Sequence, residues 1–285
     1  MEVLKTYKIY IGGSFPRTES GRYYPLLDAK GNTIANVSLS SRKDVRNAVV
    51  AARKAFGGWS EKTAFNRGQI LYRMAEILEG RKLQFLEELK KQGSSKEKAA
   101  REVQAAIDCL VYYAGWADKF QQISSTVNPV SSSHFNFSAL EPMGVIGIIA
   151  AQETSLIGVV KFIASAICGG NTAVVVASEE LPLCAVTLAE VIHSSDVPGG
   201  VVNILTGKLS ELAPALASHM DINALVKESL GGLDKPIALA CIENLKRNIT
   251  YQPGTEHGLQ NITDLQEVKT TWHPIEHIGG ASSSY

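Results

Sequence analysis

Two runs of apolar, mostly β-branched residues, Val145–Ile149 and Thr172–Val176, flank an apolar helical stretch at 156–167 and a Gly169-Gly170-Asn171 turn. Strand, helix and strand in that order make one βαβ unit, the building block of a doubly wound parallel sheet. The rhythm continues downstream. Residues 183–192 carry a helical period, Pro198-Gly199-Gly200 turns the chain, and 201–205 reads as a strand. Then come a helix at 209–218, a strand at 222–226, a helix at 235–245 with Pro236 in its first turn, and a weak strand at 248–251. These alternating runs predict an α/β, Rossmann-like, open and mostly parallel sheet with right-handed crossovers. Ligands of such sheets sit beyond the carboxyl ends of the strands, here 150–155 and 177–180.

Upstream, short strands are expected at 7–11 and 34–37, each bounded by glycine turns. Ser41 and Asp44 form a capping-box pattern before a helix with Val45, Ala48, Val49, Ala52 and Phe56 on one face. Helical spacing returns at Ile70, Leu71, Met74, Ile77 and Leu78, then at Leu83, Leu86 and Leu89. A long helix follows with Val103, Ala106, Ile107, Leu110, Tyr113 and Ala117, read as core packing. Residues 123–140 change character: they are serine-rich and alternate Phe135 with Phe137, which marks an extended, half-buried arm. Leu265–Trp272 is a last strand candidate, and 276–285 is expected to be a disordered tail.

With 285 residues and 45% apolar content, the chain has enough material for one large core or two modest ones. Lys plus Arg and Asp plus Glu both total 28, so bulk charge gives no reason to expect nucleic acid or an anionic membrane as partner. The basic run 90–101 is broken by Glu97 and reads as a solvated helix end. Residues 1–10 do not look like a secretory signal, and Lys161 splits the longest apolar stretch before it reaches membrane-spanning length. Four scattered cysteines with no CxxC pair fit a reduced, cytoplasmic chain. Without a signal, the sequons at Asn36, Asn136, Asn248 and Asn261 read as chance matches.

Several stretches together resemble the aldehyde dehydrogenase superfamily. They are YIGGSF at 10–15 with residues 48–59, IDCLVYYAGWADKF at 107–120, EPMGVIG at 141–147, Gly170-Asn171-Thr172, Ser178-Glu179, PGGVVNILTG at 198–207 and LQEVKTTW at 265–272. The family is about twice as long. NLKRNITYQPG at 244–254 resembles its fifth cofactor-domain strand, and the chain then matches the family's final strand almost at once. The resemblance therefore implies that the catalytic domain and its nucleophilic cysteine are missing. It leaves 1–122 and 141–254 as a cofactor-binding domain, with 123–140 and 262–275 as an oligomerisation arm. The match is best with the degenerate C-terminal half of family 16, a double-length branch. On that reading the chain is a fragment or isoform of a longer polypeptide.

Family chemistry, as the resemblance implies it, needs a thiolate nucleophile, amide and N–H donors for the oxyanion, a held nicotinamide, and a glutamate that activates water. Where the family has Pro-Trp-Asn-Phe-Pro, this chain has Ala151-Gln152-Glu153-Thr154-Ser155, so a carboxylate replaces the oxyanion donor. The general base aligns with Tyr251 and the ribose-holding lysine with Val176. The Gly-containing phosphate loop becomes Lys227-Glu228-Ser229-Leu230. Ser178, Glu179 and Gly207 match the cofactor site and are expected to be vestigial. NAD is thus the cofactor by resemblance, and no tight binding is expected.

Cys109, Cys168 and Cys184 fall on apolar helices and read as small buried hydrophobes, and Cys241 precedes the fifth strand rather than following it. His273 and His277 are separated by Pro274, which breaks the helical geometry a metal pair would use. Glu179 is either a ribose ligand or a solvated strand-end carboxylate, and Trp272 reads as an interface anchor. The expected function is a non-catalytic module for assembly or protein binding, self-associating or docking on a protein partner through the arm. The alternative is one part of an NAD-dependent aldehyde oxidoreductase whose catalytic groups come from another half or subunit. A nucleotide-sensing domain is a third reading.

Overall fold

The computed structural model describes residues 4–275, so the expected tail at 276–285 lies outside the described residues. The chain opens with β1 (Thr6–Tyr7), β2 (Tyr23–Leu27) and β3 (Thr33–Ser38), followed by α1 (Arg42–Ser60), α2 (Ala64–Gly80), α3 (Lys82–Lys91), α4 (Lys96–Trp116) and α5 (Phe120–Ser124). Then come β4 (Thr126–Asn128), β5 (His134–Pro142), β6 (Val145–Ile149), α6 (Ile157–Cys168), β7 (Thr172–Val176), α7 (Leu183–His193), β8 (Val202–Leu205), α8 (Leu209–Ser218) and β9 (Ala224–Glu228). A short 3-10 turn leads into α9 (Asp234–Ile242), β10 (Arg247–Tyr251), α10 (Gln260–Thr263) and β11 (Gln266–Pro274).

The central sheet has the order β10-β9-β6-β7-β8, and every neighbouring pair in it is parallel. Four of its strands, β6, β7, β8 and β9, are buried on both faces, as parallel strands require, while the edge strand β10 is partly exposed; alternate residues serve opposite layers. Ile146 and Ile148 pack towards α6 and α7, with α2, α3 and α4 behind them. Val145, Ile149, Val174 and Val176 pack on the other side against α1 and α8. Helix α6 is buried all round because it is held between the sheet and α2 and α4.

Two smaller sheets flank the central one. β1-β3-β2 docks through Tyr7, Leu26 and Val37 on Leu183 and Val186 of α7. β11-β5-β4 is antiparallel throughout. Asn171 anchors that sheet to the core: its side chain accepts from Gly144 N–H at 3.0 Å and donates to the Leu265 carbonyl at 3.0 Å.

Three expectations need correction. Leu83 is exposed, and Phe85 and Leu89 hold the inner face of α3 instead. The strand expected at 222–226 lies at Ala224–Glu228, because Asn223 first uses its side chain to accept from Val145 N–H. The helix expected to reach Leu245 ends at Ile242. Leu245 is in a left-handed conformation (φ +55°) and 94% exposed, an ending that offers no glycine for the sequence to announce.

Candidate functional site

The order of the strands reverses between β6 and β9, the switch point at which ligands of open α/β sheets are received. A cleft of about 470 Å³ opens there, lined by Glu153, Thr154, Lys161, Glu228, Thr255 and His257. Lys161 of α6 crosses it. Its ammonium group lies 2.8 Å from Glu228 at the end of β9 and donates to the Thr255 carbonyl at 2.9 Å. Both side chains are nearly sequestered, at 7% and 10% exposure, so the ion pair fills the mouth rather than offering a charge to a ligand. Burial lowers the His257 pKa, which favours the neutral ring. A larger groove of about 850 Å³ lies between α2 and α4, around Phe65, Tyr72 and Val111, and shares no residue with the strand ends.

Helices leaving the strand ends carry free N–H groups and a positive dipole end, the usual receptor for a phosphate. In this chain several of those groups are already engaged. At α6, Glu102 Oε1 accepts from the N–H groups of Ser155, Leu156 and Ile157 at 3.0, 2.8 and 3.3 Å. At α7, Leu183 N–H donates to Gln92 Oε1 at 3.1 Å and Cys184 N–H to Ser155 Oγ at 3.3 Å. At α8, Leu209 N–H donates to Glu179 Oε2 at 2.8 Å. In the loop before α9, Leu230 N–H and Ser229 Oγ both donate to Asp234, at 3.0 and 2.6 Å.

Asp234 also pairs with Lys227, whose ammonium is fully buried and donates to Thr250 Oγ1 at 2.9 Å. Burial works against the charge of Asp234, but the hydrogen bonds from Lys227, Ser229 and Leu230 outweigh it and hold its pKa down at about 2. Burial likewise opposes ionisation of Glu179, and Lys208, at 2.8 Å, together with Leu209 N–H reverses the balance and lowers its pKa.

The residues singled out from the sequence fall into this network. Glu179 is neither free for a ribose nor simply solvated: it caps α8. Ser178 is buried, donates to the Gln152 carbonyl at 3.1 Å and accepts from Leu181 N–H at 3.1 Å. Gly207 (φ +152°) sits where a Cβ would come within 3.1 Å of Leu212 and of Ser40 N, so a larger residue would be strained in the backbone and crowd both neighbours. Val176 is fully buried and offers no donor.

Glu153 is exposed. Tyr251 donates to Asp264 at 2.6 Å and stacks on Phe162; burial first, then the Asp264 carboxylate, raises its phenol pKa, so it provides no base. All four cysteines are buried and unpaired, and burial pushes the thiols of Cys109 and Cys168 up to about 12, far from thiolate chemistry at neutral pH. Among the described residues no group of three or more His, Cys, Asp or Glu is placed to hold a metal, and His277 lies outside them.

Glu102 and Gln92, which do much of the capping, belong to no motif of the sequence. One signal was present: Glu102 falls on the buried face of α4, between Ala99, Val103 and Ala106. The amides of Ser155, Leu156, Ile157, Leu183, Cys184, Leu209 and Leu230 serve the chain's own side chains, and the Val176 side chain brings no donor.

A family model described as the Aldehyde dehydrogenase family matches residues 17–233. Aldehyde dehydrogenase, cytosolic 1 of Elephantulus edwardii is 32% identical over 257 residues, which cover 88% of this chain and 50% of that protein. Retinal dehydrogenase 2 of Gallus gallus is 33% identical over 257 residues, covering 88% and 49%. PnpE of Pseudomonas sp. WBC-3 superposes with a TM-score of 0.83 at 27% identity, over 87% of this chain and 51% of that one. An aldehyde dehydrogenase from Bacillus cereus, solved as its NAD+ complex, superposes with a TM-score of 0.82 at 26% identity, over 86% and 50%. The chain spans about half the length of the relatives it matches.

Proposed function

The chain belongs to the aldehyde dehydrogenase family, and from that premise we propose that it is a non-catalytic derivative of the family's cofactor domain that serves assembly or protein binding. The observation that carries this reading is the capping of the strand-end helices by Glu102, Gln92, Ser155 and Glu179, and of the loop before α9 by Asp234. A dinucleotide phosphate entering here would meet three carboxylates instead of free amides, and repulsion replaces attraction. The positions that the resemblance assigns to catalysis point the same way, with Glu153 in place of the amide donor and Tyr251 in place of the base. The same losses support a place beside the degenerate half of family 16. Four buried, unpaired cysteines support a reduced, cytoplasmic setting.

Residues 123–140 and 262–275 supply the surface for assembly. Val127, Phe135, Val268 and Trp272 are all exposed on the β4-β5-β11 sheet, and aromatic groups such as Phe135 and Trp272 are common anchors of protein interfaces.

A second reading makes the chain one part of an NAD-dependent oxidoreductase, completed by another half or subunit. It is favoured by the half-length match to relatives and by the NAD complexes of similar structures. The experiment is to incubate the purified chain with NAD and a panel of aldehydes and follow NADH absorbance. No NADH above the protein-free control is expected, and aldehyde-dependent NADH formation by the chain alone would overturn the non-catalytic reading.

A further inference from the structure

Residues 252–259 join β10 to α10 and form one wall of the cleft at the strand ends, through Gly254, Thr255, Glu256 and His257. The segment carries no helix or strand, and 252–256 are exposed. It is held by contacts from the helices behind it. Lys161 of α6 donates to the Thr255 carbonyl at 2.9 Å while it pairs with Glu228. Tyr113 of α4 donates to the Gly258 carbonyl at 3.2 Å, and Asn261 of α10 accepts from Gly258 N–H at 2.9 Å. The His257 ring stands at 71° to Tyr112 with centroids 5.0 Å apart, and its centroid is 5.9 Å from that of Tyr113. Gly254 is in the left-handed region (φ +74°), and at both Gly254 and Gly258 only chain neighbours lie within 4 Å of where a Cβ would stand. Thr255, Glu256 and His257 thus hang between two glycines with room to turn.

We propose that residues 252–259 are a strap over the strand-end cleft, fastened at neutral pH by Lys161 and by the packing of His257 on Tyr112 and Tyr113, and released when His257 takes up a proton. The strap goes beyond the non-catalytic reading and does not depend on it. Its release removes one wall of the cleft and leaves the sheet and its helices in place.

The groups around the ring set the direction of the switch. Burial opposes the imidazolium most. Glu256 of the strap favours it, Lys161 of α6 opposes it, and Asp108 of α4 favours it. Burial and Lys161 prevail, so the fastened ring holds its proton less well than a free one of ordinary pKa 6.5. The other charged groups lining the cleft are Glu153, which is exposed, and Glu228, which Lys161 already engages. In the released strap the ring is hydrated and titrates at the ordinary value. The fastened form therefore keeps its full stability above pH 6.5 and loses it as pH falls from there towards the lowered value.

The test is hydrogen–deuterium exchange of the full chain at pH 7 and pH 5, read on peptides that span 252–259 and corrected for intrinsic exchange. Exchange of the strap should quicken roughly 3-fold or more at pH 5, while α4 and α6 keep their protection. His257→Phe keeps an aromatic ring against Tyr112 but takes no proton, and should abolish the pH response. Lys161→Met combined with Glu228→Gln leaves no charge buried alone, and should quicken the strap at both pH values. A native strap that exchanges equally at the two pH values, or more slowly at pH 5, overturns the proposal. So does a His257→Phe strap that still responds to acid, because another group then titrates. An acid response that extends equally through α4 and α6 overturns it too, since the whole domain then loosens and no strap is released.

Discussion

Glu88 is only 4% exposed, and its Oε1 accepts from Tyr7 at 2.9 Å and from Thr187 at 2.7 Å. Its Oε2 has no hydrogen-bond partner, and Lys5 is 4.0 Å away from the carboxylate. Burial raises its pKa above 4.5; the hydrogen bonds from Thr187 and Tyr7 and the charge of Lys5 pull the other way and lose, while Glu190 adds repulsion. The folded state thus keeps the proton to higher pH than the unfolded chain does. Stability is lost as pH rises from about 4.5 towards the raised value. Glu88→Gln keeps the acceptor and removes the charge. It should raise Tm at pH 7, with the gain shrinking at pH 4, as thermal melts at the two values would show. An equal or lower Tm at pH 7 counts against this account. At this scale the sequence named Ser178, Glu179 and Gly207 but could not show what they touch. Their partners are Gln152, Lys208 and Ser40, each distant along the chain. Residue type shows what a side chain can bind; only the fold shows that it is already bound.

Helix α6 is the element on which the account leans most. Its first amides converge on one carboxylate, Glu102, which belongs to α4 and is 8% exposed. Glu102→Ala leaves three amides without that partner and should cost about 1–3 kcal/mol in denaturant unfolding. Glu102→Gln keeps an acceptor and should cost less. If the two variants cost the same, the cap is not what holds the helix end. The elements themselves were largely legible. Branched apolar runs with helices between them placed all five strands of the central sheet, and Leu209–Ser218 matches its expected bounds. Errors arose where tertiary contacts or turn chemistry decide a boundary: Asn223 delays β9, Leu245 closes α9 without a glycine, and Phe85 displaces Leu83 from the interior. Lys161 could be seen interrupting an apolar helix, but its partner Glu228 lies 67 residues away and only the parallel sheet brings them together.

On the scale of the whole molecule, the chain keeps the cofactor-domain fold of its family across about half the length of its relatives. At the carboxyl ends of its central strands, amides of α6, α7 and α8 are engaged by its own side chains, and the outer side of β11 pairs with no strand among the described residues. That contrast makes cofactor binding the most direct test. Calorimetric titration of the chain with NAD and with NADH should be run beside the Bacillus cereus aldehyde dehydrogenase whose NAD+ complex is similar in fold. The account predicts saturable heat for that enzyme and none for this chain, even at millimolar cofactor. Saturable micromolar binding by this chain would mean that the caps at α6, α7 and α8 and the Asp234 contacts before α9 give way to phosphate, and would contradict the central claim.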